Sequence, residues 1–164
     1  AKAPTGAIVE AGLAARIAVG LIARRIRDQD GAALFIDYGP LASGYGDTLQ
    51  AVSRHRKISP LAAPGESDLT AHVDFAALAR IARAAGADVY GPLPQGTFLN
   101  RLGYAARAAT LVRLASPRHA SDIESASERL IGDAGMGTLF KALSILRHGA
   151  AAPPGFDSHA DKFP

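Results

Sequence analysis

The chain has 164 residues, 48% hydrophobic and 20% charged, with 18 Lys and Arg against 15 Asp and Glu for a formal charge of +3. That is enough chain for one domain with a sizeable core, and its small basic excess, with six Phe, four Tyr and no Trp, argues against a nucleic-acid binder. Cysteine is missing altogether, which removes disulfides, thiolate metal sites and cysteine nucleophiles and suits a reducing compartment.

Along the chain, "GAIVEAGLAARIAVGLIARRI" is broken by Glu10 and Arg16, so it reads neither as a membrane span nor as a signal peptide. A helix is expected from Glu10 to Asp28, with Leu13, Ile17 and Leu21 on one stripe and Val19, Ile22 and Ile26 elsewhere. After the Asp30-Gly31 turn, the apolar run Ala32 to Ile36 predicts a buried strand that "DYGP" ends. The Gly-rich "GPLASGYGD" should be a loop, followed by a short helical or irregular piece through Arg56, then a second loop, "SPLAAPGES". In "ESDLTAHVDF" the polar Asp68, Thr70, His72 and Asp74 alternate with Leu69, Ala71, Val73 and Phe75, so an extended backbone would put the four on one face. Asp74 also fits the N-cap of the helix "DFAALARIARAAG", which Gly86 stops. "ADVYGPL" reads as a short strand, "QGTFLNRLG" and "YAARAATLVRLA" as helices parted by Gly103. Ser121 and Glu124 have capping-box spacing, Met136 to Arg147 suggests a last helix, and residues 151–164 should be an extended or disordered tail after a domain over 1–150.

Two places carry candidate chemistry. Ligands of open α/β sheets bind at the carboxyl ends of strands, where Asp37, Tyr38 and Gly39 fall. His72 between carboxylates could serve as a general base, although Asp68 and Asp74 have structural readings as turn and helix caps. The histidines at 55, 72, 119, 148 and 159 lack metal-ligand spacing, and "GDAGMGTLF" lacks the strand and Lys-Ser/Thr ending of a phosphate loop, so no metal is expected.

Taken in order, "ALFIDYG", "DTLQAVSRHR", "PGESDLTAHVDF", "PLPQGTFLNRLG", "MGTLFKAL" and "PPGF" resemble the MidA family of S-adenosylmethionine-dependent methyltransferases, from about Gly6 to Phe156. Mitochondrial members of that family are protein-arginine methyltransferases acting in respiratory complex I assembly. The resemblance implies an α/β fold: the C-terminal part of a Rossmann-like (class I) methyltransferase, whose sheet has seven strands, with an added mainly helical region. It implies S-adenosyl-L-methionine as cofactor, with the main binding loop in an N-terminal half outside this chain, so that these residues alone would be inactive. It implies a protein substrate, such as a complex I subunit, without nucleic acid or membrane insertion. The compartment would be the cytoplasm for a bacterial relative and the mitochondrial matrix for a eukaryotic one. On this reading Asp37, Asp68 and His72 are the catalytic candidates, and Tyr38, Gly39, His55, Thr70 and Asp74 line the substrate site. The alternative is a docking or assembly factor that keeps the fold without the activity.

Overall fold

The structure, a computed structural model, describes residues 3–54, 56–62, 64–157 and 160–163. Its main sheet has three strands in the order β1 (Ala32–Tyr38), β6 (Phe140–Leu146), β5 (Asp88–Pro94). β6, last in the chain, lies antiparallel between the other two, so β1 and β5 run parallel to each other. This is a mixed α/β sheet, and its central strand is the segment that sequence periodicity assigned to a helix. Only Met136–Leu139 is helical there, as α6. Covered on both faces, Lys141 to Leu146 are all buried, so the apolar/polar alternation that marks a half-exposed strand is lost.

One face of the sheet is covered by α1 (Leu13–Gln29) and α2 (Phe75–Ala84). Val19, Ala23 and Ile26 of α1 and Phe75, Leu78, Ala79 and Ala82 of α2 pack with Val89, Leu143 and Ile145, and Ala33 and Phe35 of β1 join them. α2 forms as its sequence suggests: Asp74 accepts from Ala77 N at 2.9 Å, and Gly86, at φ +90°, lets the chain leave.

The stripe expected to bury α1 faces outward instead. Leu13, Ile17 and Leu21 are 65%, 65% and 57% exposed, while the other side of the same helix enters the core. α1 is thus apolar on two sides, which is why its pattern is imperfect for a simple amphipathic helix. On the opposite face of β1 from Ala33 and Phe35, Leu34 and Ile36 are 52% and 42% exposed, and the outer edge of β1 has no strand partner among the described residues.

The opposite edge is closed. The tail runs along β5, with Gly91 N donating to Asp161 O at 2.7 Å and Phe163 N to Val89 O at 2.8 Å. Phe156 is buried against the Phe98 and Tyr90 rings, at 5.2 and 6.5 Å between centroids. Asp88, 6% exposed, anchors this end: Lys162 Nζ at 2.9 Å, Gly149 N at 3.0 Å and His148 Nδ1 at 3.2 Å surround its carboxylate. Burial works against that charge, yet the Lys162, Gly149 and His148 hydrogen bonds outweigh it and hold the carboxyl below its usual range.

A second sheet, in the order β3 (Arg56–Ile58), β2 (Gln50–Ser53), β4 (Asp68–Thr70), is inserted between β1 and α2. β2 and β3 therefore replace the helical or irregular piece expected through Arg56. Helices α3 (Gln95–Arg101), α4 (Tyr104–Leu114) and α5 (Pro117–Ile131) follow β5. α5 starts at a Ser116 cap with Pro117 behind it, so Ser121 and Glu124 lie inside the helix rather than forming its capping box. No helix among the described residues is long and apolar enough to cross a membrane.

Candidate functional site

At the carboxyl end of β1 the chain makes a cavity of about 660 Å³. Its walls come from Glu10 ahead of α1 and Arg16 in its first turns, the loop after β1 (Pro40 to Leu49) and the lead-in to α2 (Ala71 to Asp74). The alternating row of the sequence is split to build it. Asp68 and Thr70 pair with Val52 and Gln50 in the small sheet, and the strand stops there. Beyond Thr70 the backbone bonds leave that sheet: His72 N donates to Thr48 Oγ1 at 2.9 Å, and Val73 N to Tyr38 O at 3.0 Å. His72 and Asp74 thus reach the cavity, whereas Asp68 lines a separate groove with Arg54 and Glu66.

Gly39 makes this crossing possible. A Cβ there would lie 2.1 Å from Val73 O, so only glycine lets residues 71–74 pass over the strand end. Tyr38 sits beneath, its ring edge-on to His72 at 5.7 Å and to Phe140 at 5.5 Å. Asp37 is turned to its own backbone, Oδ1 accepting from Tyr38 N at 2.8 Å, and is not among the lining residues. His55 lies outside the described residues.

The carboxylates of the cavity are Asp74 and Glu10. Asp74 Oδ1 accepts from Ser43 Oγ at 2.7 Å as well as from Ala77 N, and Arg80 Nη2 donates to Ser43 Oγ at 3.0 Å. Glu10, which sequence reading left as a break in an apolar run, accepts from Thr48 N at 2.8 Å and from the Thr48 hydroxyl. Those Thr48 bonds, with smaller help from Leu49 N–H and His72 against desolvation, hold the Glu10 carboxyl below its usual range. No local pattern joins Glu10 to Thr48, 38 residues away. The described Gly-rich segment after β1 runs into β2 rather than into a helix, so it is not the strand-to-helix turn that cradles a dinucleotide or nucleoside. What the lining residues offer is a hydrogen-bonding wall with two carboxylates, the His72 imidazole and the Tyr45 phenol.

Residues 1–93 match the family described as "Putative S-adenosyl-L-methionine-dependent methyltransferase". The chain is 40% identical over 147 residues to the mitochondrial protein arginine methyltransferase NDUFAF7 homolog of Drosophila melanogaster, covering 89% of this chain and 32% of that protein. It is 33% identical over 135 residues to protein arginine methyltransferase NDUFAF7 of Rattus norvegicus, covering 82% and 30%. It therefore spans about a third of the length of the curated relatives it matches. Among solved structures, an uncharacterized superfamily protein of Burkholderia thailandensis aligns with a TM-score of 0.80 at 29% identity, over 97% of this chain and 45% of that one. A member of the same superfamily from that organism, solved with S-adenosyl-homocysteine bound, aligns with a TM-score of 0.71 at 30% identity, over 88% and 39%.

Proposed function

The chain belongs to this family of S-adenosyl-L-methionine-dependent methyltransferases, and on that premise we infer that it forms the acceptor side of a methyltransferase active site in a protein of the relatives' length. The exposed edge of β1 and the outward stripe of α1 are where the rest of such a protein packs. The observation that carries the reading is the cavity at the carboxyl end of β1, the position where open α/β sheets bind ligands, with His72 and Asp74 on its wall. The acceptor is an arginine of a partner protein, the activity printed in the names of the curated relatives; a complex I subunit is the partner class that the MidA resemblance suggests.

When bound, the cofactor supplies an electrophilic methyl group whose C–S bond breaks as a C–N bond forms, the sulfur keeping the electron pair. The work left to this chain is orientation, charge and one proton. A guanidinium is held in a fixed fork by carboxylates, and Asp74 and Glu10 face the cavity to do so. His72, half-buried and edge-on to Tyr38, takes the proton that the methylated nitrogen releases. Asp37 keeps Tyr38 in register at the strand end, and Asp68 and Thr70 fix the small sheet that leads into His72.

The test is calorimetry with S-adenosyl-homocysteine on the full-length protein, followed by transfer of labelled methyl groups into protein. Cofactor binding with label on arginine that His72→Ala lowers at least tenfold is the expected result. Absence of cofactor binding would make the protein a docking factor and overturn the reading.

A further inference from the structure

Three segments far apart in the chain meet at one hydroxyl. Thr48, at the end of the loop after β1, donates its N–H and O–H to Glu10 ahead of α1, and accepts the N–H of His72 ahead of α2. All three residues line the cavity. A hydroxyl carries one proton and two acceptor lone pairs, so it alone can serve a carboxylate and an amide together at this point. The loop it ends is exposed from Pro40 to Asp47 and has few other ties: Gly46 N to Ile8 O at 3.0 Å, and Ser43 Oγ to Asp74. The backbone of His72 is fixed from one side by this hydroxyl, and its neighbour Val73 from the other by Tyr38 O at 3.0 Å.

Building on the acceptor-side reading, we propose that Thr48 is a positioning residue for methyl transfer: its hydroxyl, locked by Glu10, sets where the His72 imidazole stands against the acceptor nitrogen. Valine has the shape of threonine without the hydroxyl, so Thr48→Val strands one Glu10 oxygen and the His72 N–H while keeping the backbone bond to Glu10. Serine restores both contacts. Glu10→Gln reaches the same clasp from its other end, because an amide withdraws one of the two accepting oxygens.

The experiment uses the full-length protein with S-adenosyl-homocysteine calorimetry, labelled methyl transfer to an arginine–glycine repeat peptide, and carbon NMR of the Glu10 carboxyl. For Thr48→Val the expected result is a kcat at least tenfold lower, with peptide KM and S-adenosyl-homocysteine affinity within about twofold of wild type. Its Glu10 titration moves up toward the ordinary range, and Thr48→Ser recovers kcat to within about threefold. Should Thr48→Val not fold, Thr48→Ala takes its place and must show the same kcat loss against Thr48→Ser, because Glu10→Gln alone would also weaken the grip on the guanidinium. An active wild type with unchanged kcat in these variants, or a serine variant as impaired as valine, overturns the proposal alone. A wild type that binds S-adenosyl-homocysteine yet methylates no arginine peptide removes the arginine-acceptor reading, and the proposal with it.

Discussion

Replacing Gly39 by alanine tests the crossing that brings His72 to the cavity. The added Cβ would stand 2.1 Å from Val73 O, and ordinary contact begins near 3.4 Å, so the segment must retreat by about 1.3 Å. A shift of that size breaks the 3.0 Å bond from Val73 N to Tyr38 O. Overpacking of this kind costs about 1–3 kcal/mol, and the stranded backbone pair adds about 1 kcal/mol. A loss near 3 kcal/mol is expected, read by urea unfolding as a midpoint lower by about 1–3 M at ordinary slopes of about 1–3 kcal/mol per M. Gly46→Ala is the internal control. It lies in the same loop with nothing within 4 Å of an added Cβ, so its stability should stay within about 0.5 kcal/mol. If Gly39→Ala proves as mild as Gly46→Ala, residues 71–74 do not pass over the strand end and the cavity is wrongly drawn.

Asp88 gives a pH dependence of definite sign. Its folded carboxyl titrates below the unfolded one, so it stabilises the fold above the ordinary carboxylate range and loses that contribution as pH falls through the lowered value. Hydrogen-exchange protection factors at Gly91 and Phe163, whose amides bond the tail to β5, should fall in acid once the intrinsic rate is divided out, and Asp88→Asn should flatten that dependence. On the proposal that the rest of a protein of the relatives' length packs on the α1 stripe, Ile17→Glu should cost that protein about 2 kcal/mol or more, since a charge there would lose its water. In a polypeptide of these 164 residues the same change should leave denaturation almost unaltered and reduce self-association in sedimentation. Asp37→Asn should alter methyl transfer by less than about threefold, as an amide oxygen can still accept Tyr38 N–H, whereas His72→Ala removes the proposed proton acceptor.

Local signals were legible wherever a few adjacent residues decide the structure. The Asp74 cap and Gly86 stop frame α2, and Gly103, at φ +87°, parts α3 from α4 as its position suggested. The strand expected over Ala32 to Ile36 runs on to Tyr38, and it is not buried as expected: β1 is an edge strand of the described sheet whose residues alternate between exposed and half-buried up to Ile36. β6 was not legible, because Leu139, Phe140, Leu143 and Leu146 match helical spacing, while the strands that pair with its edges, β1 and β5, and the side chains of α1, α2, Phe98 and Phe156 that cover its faces come from elsewhere in the chain. The same limit applies to the site. His72 and Asp74 stand out by residue type and spacing, and both line the cavity. Glu10 and Thr48 gain their meaning only from each other across the fold, and Asp68 shared a sequence row with His72 without sharing its place in space. The α1 stripe was visible as apolar, but whether a stripe faces a core or open solvent depends on what lies opposite.

The placement of β6 has a consequence for the order of folding. β1 and β5 touch no common ladder until residues 140–146 thread between them, antiparallel to both. During synthesis, then, a chain that has emerged only as far as α6 holds two strands with no main-sheet partner from this region, along with the apolar side chains that β6 will bury. Such pairings close large loops late and leave sticky intermediates waiting. A nascent chain from which residues up to Leu139 alone have emerged should therefore be protease-sensitive and chaperone-binding, and emergence of Phe140–Leu146 should make β1 and β5 more resistant.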